Sequence, residues 1–267
     1  MLRTMVFIDY QNFNINLQTH YNNKSGKGFR SINYQRLAKE INGKLPFQSQ
    51  VLKTYLFAYK PCEQLMKLER YKKYYNWLEN MRKTPYFEVI EGRQEVRSKD
   101  GVQFDINDTH TYTTEEKETD INLATHMLAK GFQNAYDIAI LVSGDTDYIK
   151  VVETLHNIGK TVVIAHFQHQ NINKYEGIID AHIVLYDSIL IKSSNEKKNN
   201  VKDKKEEHDS IEKINECEID SDVSEEDIDS DSATDDIKSR ARELISCSFI
   251  ISKIIQVKDI VSSHMKV

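Results

Sequence analysis

The chain has 267 residues, long enough for one ordinary domain with a real core and a remainder. No apolar run approaches the roughly 18 residues needed to cross a bilayer, and Met-Leu-Arg-Thr leads into a strand pattern rather than a signal sequence, so a cytoplasmic protein with no membrane partner is expected. The net charge of −5 divides unevenly: Glu216 to Asp236 holds eleven acids and no Lys or Arg, which leaves 36 basic against 30 acidic residues elsewhere, a net of +6. Such a basic body suits a polyanionic substrate. Three cysteines, Cys62, Cys217 and Cys247, are odd in number and lack metal-ligand spacing, which argues against a disulfide framework or a zinc site.

The first element is a buried strand, Met5-Val6-Phe7-Ile8, running straight into Asp9, with Tyr10-Gln11-Asn12 turning into the next element. The polar stretch Asn14 to Ser31 reads as a surface loop, Ile32 to Ile41 as a short helix, and Val51 to Tyr59 as a second strand closed by Pro61. Glu63 to Lys83 reads as a long amphipathic helix, with Leu65, Leu68, Tyr71, Tyr75 and Leu78 near the 3.6 period and Lys and Arg on its other face. Tyr86 to Ser98 and Val102 to Thr111 read as an inserted antiparallel hairpin turning at Asp100-Gly101.

A helix begins at Thr119 or Asp120, which places Asp120 in its first turn. Then come a strand over Ile138 to Val142, a helix over Thr146 to Ile158, a strand over Thr161 to Ala165, a helical turn near Lys174 to Ile179 and a strand around Ile183 to Leu185. This alternation predicts an α/β fold, a parallel sheet covered by helices on both faces. The domain is expected over 1–192. An acidic linker of disordered composition follows over 193–239, and a short helical segment over 240–267 whose apolar residues suit docking on the body, a protein partner or a second copy.

The most telling stretch is Ile140-Leu141-Val142-Ser143-Gly144-Asp145-Thr146-Asp147-Tyr148, an apolar strand ending at a glycine turn with two carboxylates. Parallel α/β sheets build their sites at the carboxyl ends of strands, so Asp9, Asp145 and Asp147 should share one crevice, with Asp120 brought to it by topology. A single Asp at a strand end is more often a turn former or helix cap. Four that converge are another matter, because like charges so close need a cation or basic partner, and Mg²⁺ or Mn²⁺ takes one to three protein carboxylates.

Other phosphate chemistries fit poorly. Gly159-Lys160-Thr161 imitates the end of a P-loop, but Thr154 stands where its first glycine belongs. Gly26-x-Gly28 has Ser31 in place of the third dinucleotide-site glycine, and no Gly-x-Ser-x-Gly elbow occurs. Gln11 stands where a phosphoaspartyl phosphatase would carry a second Asp.

Taken together, Ile8-Asp9-Tyr10-Gln11-Asn12, Lys117-x-x-Asp120, Asp137-x-Ala139 through Tyr148 and Gly159-Lys160 resemble the NYN domain, over roughly residues 4 to 187 and in the family's motif order. The resemblance implies a PIN-like, Rossmannoid sheet and a metal-dependent nuclease, most simply an endoribonuclease using Mg²⁺ or Mn²⁺. The alternative is a catalytically silent RNA-binding or scaffold protein of the same fold. It further implies that Asp9, Asp120 and Asp145 hold the metal, with Asp147 binding a second ion or acting as a base beside it. Asn12 would orient Asp9 or touch phosphate, Ser143 would offer its hydroxyl to phosphate, and Lys117 would contact the scissile strand. One departure is Asp180-Ala181-His182, in reversed order, which leaves Asp180 outside the site. For RNA, Lys72 and Lys73 stand with Lys67, Arg70, Arg82 and Lys83 among Tyr74 and Trp77, and Arg93 and Arg97 lie on the ribbon, a pattern suited to phosphates and unpaired bases.

Overall fold

The computed structural model describes residues 1–22 and 31–195. Residues 23–30 of the expected loop, all but the first three residues of the acidic linker, and the 240–267 segment lie outside the described residues. Seven strands form one sheet in the order β4-β3-β2-β1-β5-β6-β7. They are β1 (Leu2–Asp9), β2 (Ser49–Pro61), β3 (Phe87–Ser98), β4 (Tyr112–Lys117), β5 (Ile138–Val142), β6 (Thr161–His166) and β7 (Ala181–Val184). All neighbours are parallel except β3 and β4.

The central strands are apolar because both their faces are covered: β5 is buried at every position, as is β1 from Thr4 to Asp9. Helices α1 (Tyr10–Asn22), α2 (Tyr34–Asn42), α3 (Glu69–Arg82) and α6 (Asp187–Ser193) contribute Phe13, Leu17, Leu37, Ile41, Tyr74, Leu78, Ile189 and Leu190 to one core, together with Val6, Ile8 and Leu56 of the sheet. Helices α4 (Thr119–Phe132) and α5 (Ile149–Asn157) contribute Leu123, Met127, Val152 and Leu155 to a second core, with Phe7, Phe57 and Leu141. Alternate residues of β1 thus feed opposite cores, as the two-residue strand period requires. No described helix is long and apolar enough to cross a membrane.

The structure departs from the sequence reading in four places. Asn14 to Asn22 belongs to helix α1 rather than to a loop; Tyr10, Phe13, Leu17 and Tyr21 recur at helical spacing and are buried, while intervening Asn and Gln dilute the pattern. The long helix begins only at Glu69, because Leu68 is extended (ψ 133°) and Leu65–Lys67 form a separate 3₁₀ turn. The antiparallel ribbon exists, but its second strand is Tyr112–Lys117, and Val102 to Thr111 is a connecting loop. There Asp105 and Asp108 accept the backbone N–H groups of Asn107 and His110, and Thr111 bonds both ways with Asp105, local bonds that compete with a ladder. Helix α6 was not anticipated. It extends the domain to Ser193, and Ser194 then bridges Ile32 beside α2.

Chain direction across the sheet reverses at β1. The chain steps outward from β1 to β4, returns through α4, and continues on the other side with β5. The gap between the carboxyl ends of β1 and β5 is therefore the topological switch point, where loops part and a crevice forms.

Candidate active site

Asp9 is the last residue of β1 and is only 4 % exposed. Its Oδ1 accepts the Asn12 N–H at 3.1 Å, a bond across the first turn of α1. Its Oδ2 accepts the Ser143 hydroxyl at 3.1 Å, and the Tyr148 hydroxyl lies 3.3 Å away. Ser143, just past β5, in turn accepts the Asp145 N–H at 3.1 Å. Ile8 and Val142 are register partners on adjacent strands, so the residues following each are delivered side by side.

Asp145 caps the 3₁₀ turn Thr146–Tyr148 by accepting the Asp147 N–H at 3.0 Å, while Asp147 itself is exposed. Tyr148 points back into the fold, is 1 % exposed, and donates to Asp120 at 2.7 Å. Asp120 comes from the first turn of α4, on the exposed rim of the same edge. Its placement depends on Gly92 in β3: a Cβ there would lie 2.5 Å from the Lys117 carbonyl oxygen and 2.8 Å from the Thr119 nitrogen. Only a bare backbone lets the β4–α4 junction, with Glu118 at φ 75°, pass so close.

Electrostatics mark the cluster as strained. Burial, with the charge of Asp120 next and that of Asp145 smaller, pushes the Asp9 carboxyl up to about 7 against the bonds from Asn12 and Ser143. Asp120, although the residue stands on the exposed rim, has its carboxyl partly desolvated where it meets Tyr148, and this raises it, opposed by the Tyr148 bond and assisted by Asp145. The Tyr148 phenol is driven well above its ordinary range by burial and by these carboxylates. Perturbed acids gathered at a strand-end crevice are a signature of functional sites.

Of the residues singled out from sequence, Asp9, Asn12, Asp120, Ser143 and Asp145 come together, with Asp147 at the margin. The roles of two differ from expectation. Ser143 is buried and its hydroxyl is committed between Asp9 and the Asp145 N–H, so it positions the turn and does not face a phosphate. Asn12 Oδ1 accepts from the Gly144 N–H at 3.3 Å and from Gln170 Nε2 at 2.9 Å, fastening α1 to the loops after β5 and β6.

The basic residues are more dispersed. Lys117 pairs with Glu95 at 3.2 Å and Glu115 at 3.7 Å, so it faces the ribbon's own acids. Arg93 and Arg97 likewise pair with Glu118 and Glu115. Lys72 is exposed on α3, 4.0 Å from Glu69, and Lys73 is half-buried; α3 packs on the sheet face opposite to α4. Tyr74 cannot stack on bases, being fully buried with its hydroxyl on the Tyr59 carbonyl, and Trp77 packs against Tyr10, Tyr34 and Tyr74.

Three residues escaped the sequence reading. Tyr148 was visible only as part of a motif, Tyr175 donates to the Asp145 carbonyl from the turn after β6, and Gln170 ties the Phe167 N–H to Asn12. A Cβ on Gly144 would meet the Gln170 amide at 2.6 Å, so the glycine makes room for that tie.

Hard-cation chemistry fits this donor set. The groups are carboxylate oxygens, and the charges that bear on Asp9 are those of other carboxylates, a repulsion that a divalent ion would relieve. Among the described residues no three His, Cys, Asp or Glu side chains stand converged as a finished cage. The expected set of Asp9, Asp120, Asp145 and Asp147 is therefore not assembled around one point; a pair such as Asp9 and Asp120 still suits Mg²⁺, which usually takes one or two carboxylates and leaves water and phosphate oxygens to complete its shell.

A family model for the NYN domain matches residues 3–180. No curated protein matches the sequence. Among solved structures, a protein of unknown function from Vibrio parahaemolyticus is similar at 15% identity and a TM-score of 0.45, over 70% of this chain and 94% of that one.

Proposed function

This chain belongs to the NYN domain family, whose fold is of the PIN-like nuclease type, and from that premise we propose that it is a Mg²⁺- or Mn²⁺-dependent nuclease that hydrolyses phosphodiester bonds, acting as an endoribonuclease on single-stranded or structured RNA. The observation that carries this reading is the buried Asp9 facing Asp120 and Asp145 at the switch point of the sheet. Asp9 and Asp120 would hold the cation, with Asp145 beside them. What the ion supplies when bound is a more acidic water and positive charge against the phosphate oxygens.

The chain's own residues do the rest. The Asn12 N–H and the Ser143 hydroxyl fix the Asp9 carboxylate from both sides. Asp147, which is exposed two residues beyond Asp145, would take up the proton released by the attacking water. No side chain need act as a nucleophile. Lys72 and Lys73, on α3, would meet the RNA backbone away from the cut.

The test is cleavage of labelled single-stranded RNA, structured RNA and DNA by wild type and Asp145→Asn with Mg²⁺, Mn²⁺ or EDTA. Metal-dependent cutting that falls by about 10²–10³-fold in the variant, with folding intact, supports the nuclease. Equal RNA binding by both forms and no cutting by either would replace it with a binding or scaffold protein of the same fold.

A further inference from the structure

Tyr148 brings its hydroxyl within hydrogen-bonding distance of two acids of the site that come from separate elements. Its hydroxyl lies 2.7 Å from Asp120 Oδ1 on α4 and 3.3 Å from Asp9 Oδ2 at the end of β1. The ring itself is fixed: at 1 % exposure it packs in the core shared with Leu123, Val152 and Tyr175. Asp120, by contrast, stands on an exposed helix turn whose own cap, Glu118, makes no side-chain bond to it. Without a tether, mutual repulsion would swing the Asp120 side chain outward, toward water and away from Asp9.

From this geometry, and resting on the nuclease reading above, we infer that the Tyr148 hydroxyl is a positioning group that holds Asp120 beside Asp9 and so prepares the pair to receive a divalent cation. The phenol has a single proton. Donating it to Asp120 at the shorter distance orients that carboxylate, and the second Asp120 oxygen is left for the ion. The metal then meets a preset pair and need not recruit a freely rotating side chain, which is how hydrogen-bonded neighbours of metal ligands raise affinity. Phenylalanine at this position would keep the ring, the core packing and the turn while removing only the tether.

The experiment is calorimetric titration of the full chain with Mn²⁺, for wild type, Tyr148→Phe, Asp120→Asn and the double variant, with thermal unfolding of each in EDTA. The expected result is Mn²⁺ binding weakened by about 10- to 100-fold in Tyr148→Phe. In the Asp120→Asn background the same change should add little, because the tether then has nothing to hold. A purely structural tyrosine would lower the unfolding temperature and leave Mn²⁺ affinity unchanged, and that outcome overturns the inference. An equal affinity loss in both backgrounds also overturns it, since the effect would not pass through Asp120. If wild type itself takes up no Mn²⁺, the metal-dependent reading fails and the role of Tyr148 falls with it; if wild type binds and the Phe variant binds equally, only the role of Tyr148 fails.

Discussion

Replacing Asp9 with Asn should make the metal-free protein more stable at pH 8 while disabling its site. The Asp9 carboxyl is shifted from 3.8 to about 7, so keeping it ionised in the fold at pH 8 costs about 4 kcal/mol, at roughly 1.4 kcal/mol per tenfold change in proton affinity. An amide removes the charge but serves its neighbours less well: Asn12 N–H can still donate to the oxygen, whereas the NH₂ group now faces the Ser143 and Tyr148 hydroxyls, a loss of about 1–2 kcal/mol. The net gain is about 2 kcal/mol, which for a domain of this size is roughly 4–8 °C in Tm. The pH dependence follows from linkage. Because the folded carboxyl is raised, its favourable contribution is complete below about 3.8, declines as pH rises through about 7 and is gone above that, so wild type strengthens on acidification through this window and Asp9→Asn does not. Urea or thermal unfolding in EDTA at pH 4, 6 and 8 should show the advantage of the variant shrinking toward pH 4. With millimolar Mg²⁺ at pH 8 wild type alone should gain. A variant less stable than wild type at pH 8 in EDTA, or an advantage independent of pH, would refute the argument.

Gly92→Ala should destabilise by about 1–3 kcal/mol in urea unfolding, because its Cβ meets backbone atoms of Lys117 and Thr119 that cannot step aside without moving Asp120; metal-dependent activity should fall along with stability. Leu141→Ala, fully buried in β5, should cost about 2–5 kcal/mol by the same assay without altering Mn²⁺ affinity of the folded fraction. Asp137 is held down to about 2 by hydrogen bonds from the Arg3 side chain and N–H; the stability it lends is present above about 3.8 and is lost as pH falls through about 2. Asp137→Asn should therefore flatten the acid limb of the stability profile by a small amount, since the pair is partly exposed and screened by solvent, and leave cleavage at pH 8 untouched.

Much of the fold was legible because its signals are local. An apolar run of five in β5 is the composition of a strand covered on both faces, and its junction with Ser143-Gly144-Asp145 announces a turn. Helix α1 was missed where Asn and Gln interrupt its apolar spacing, and those amides are buried for reasons of tertiary contact: Asn14 accepts from Tyr34 of α2. Helix α6 was missed because seven residues beside a polar tail carry little periodicity, and its stability comes from packing on α2. The pairing of the basic residues was not legible either: composition counts charges, while the fold pairs Arg93, Arg97 and Lys117 with glutamates that lie across or along the ribbon.

The sequence by itself determined the acids and their seats: Asp9 closes a strand, Asp145 lies in the turn after one and Asp120 opens a helix, because strand ends and helix starts are written in residues a few positions apart. Only the tertiary structure decided that these seats meet. The chain must return from β4 through α4, Gly92 must let that junction close, and Tyr148 must carry its hydroxyl 2.7 Å from Asp120. Those are contacts between residues 28 to 139 positions apart, set by register and packing, and no local pattern encodes them.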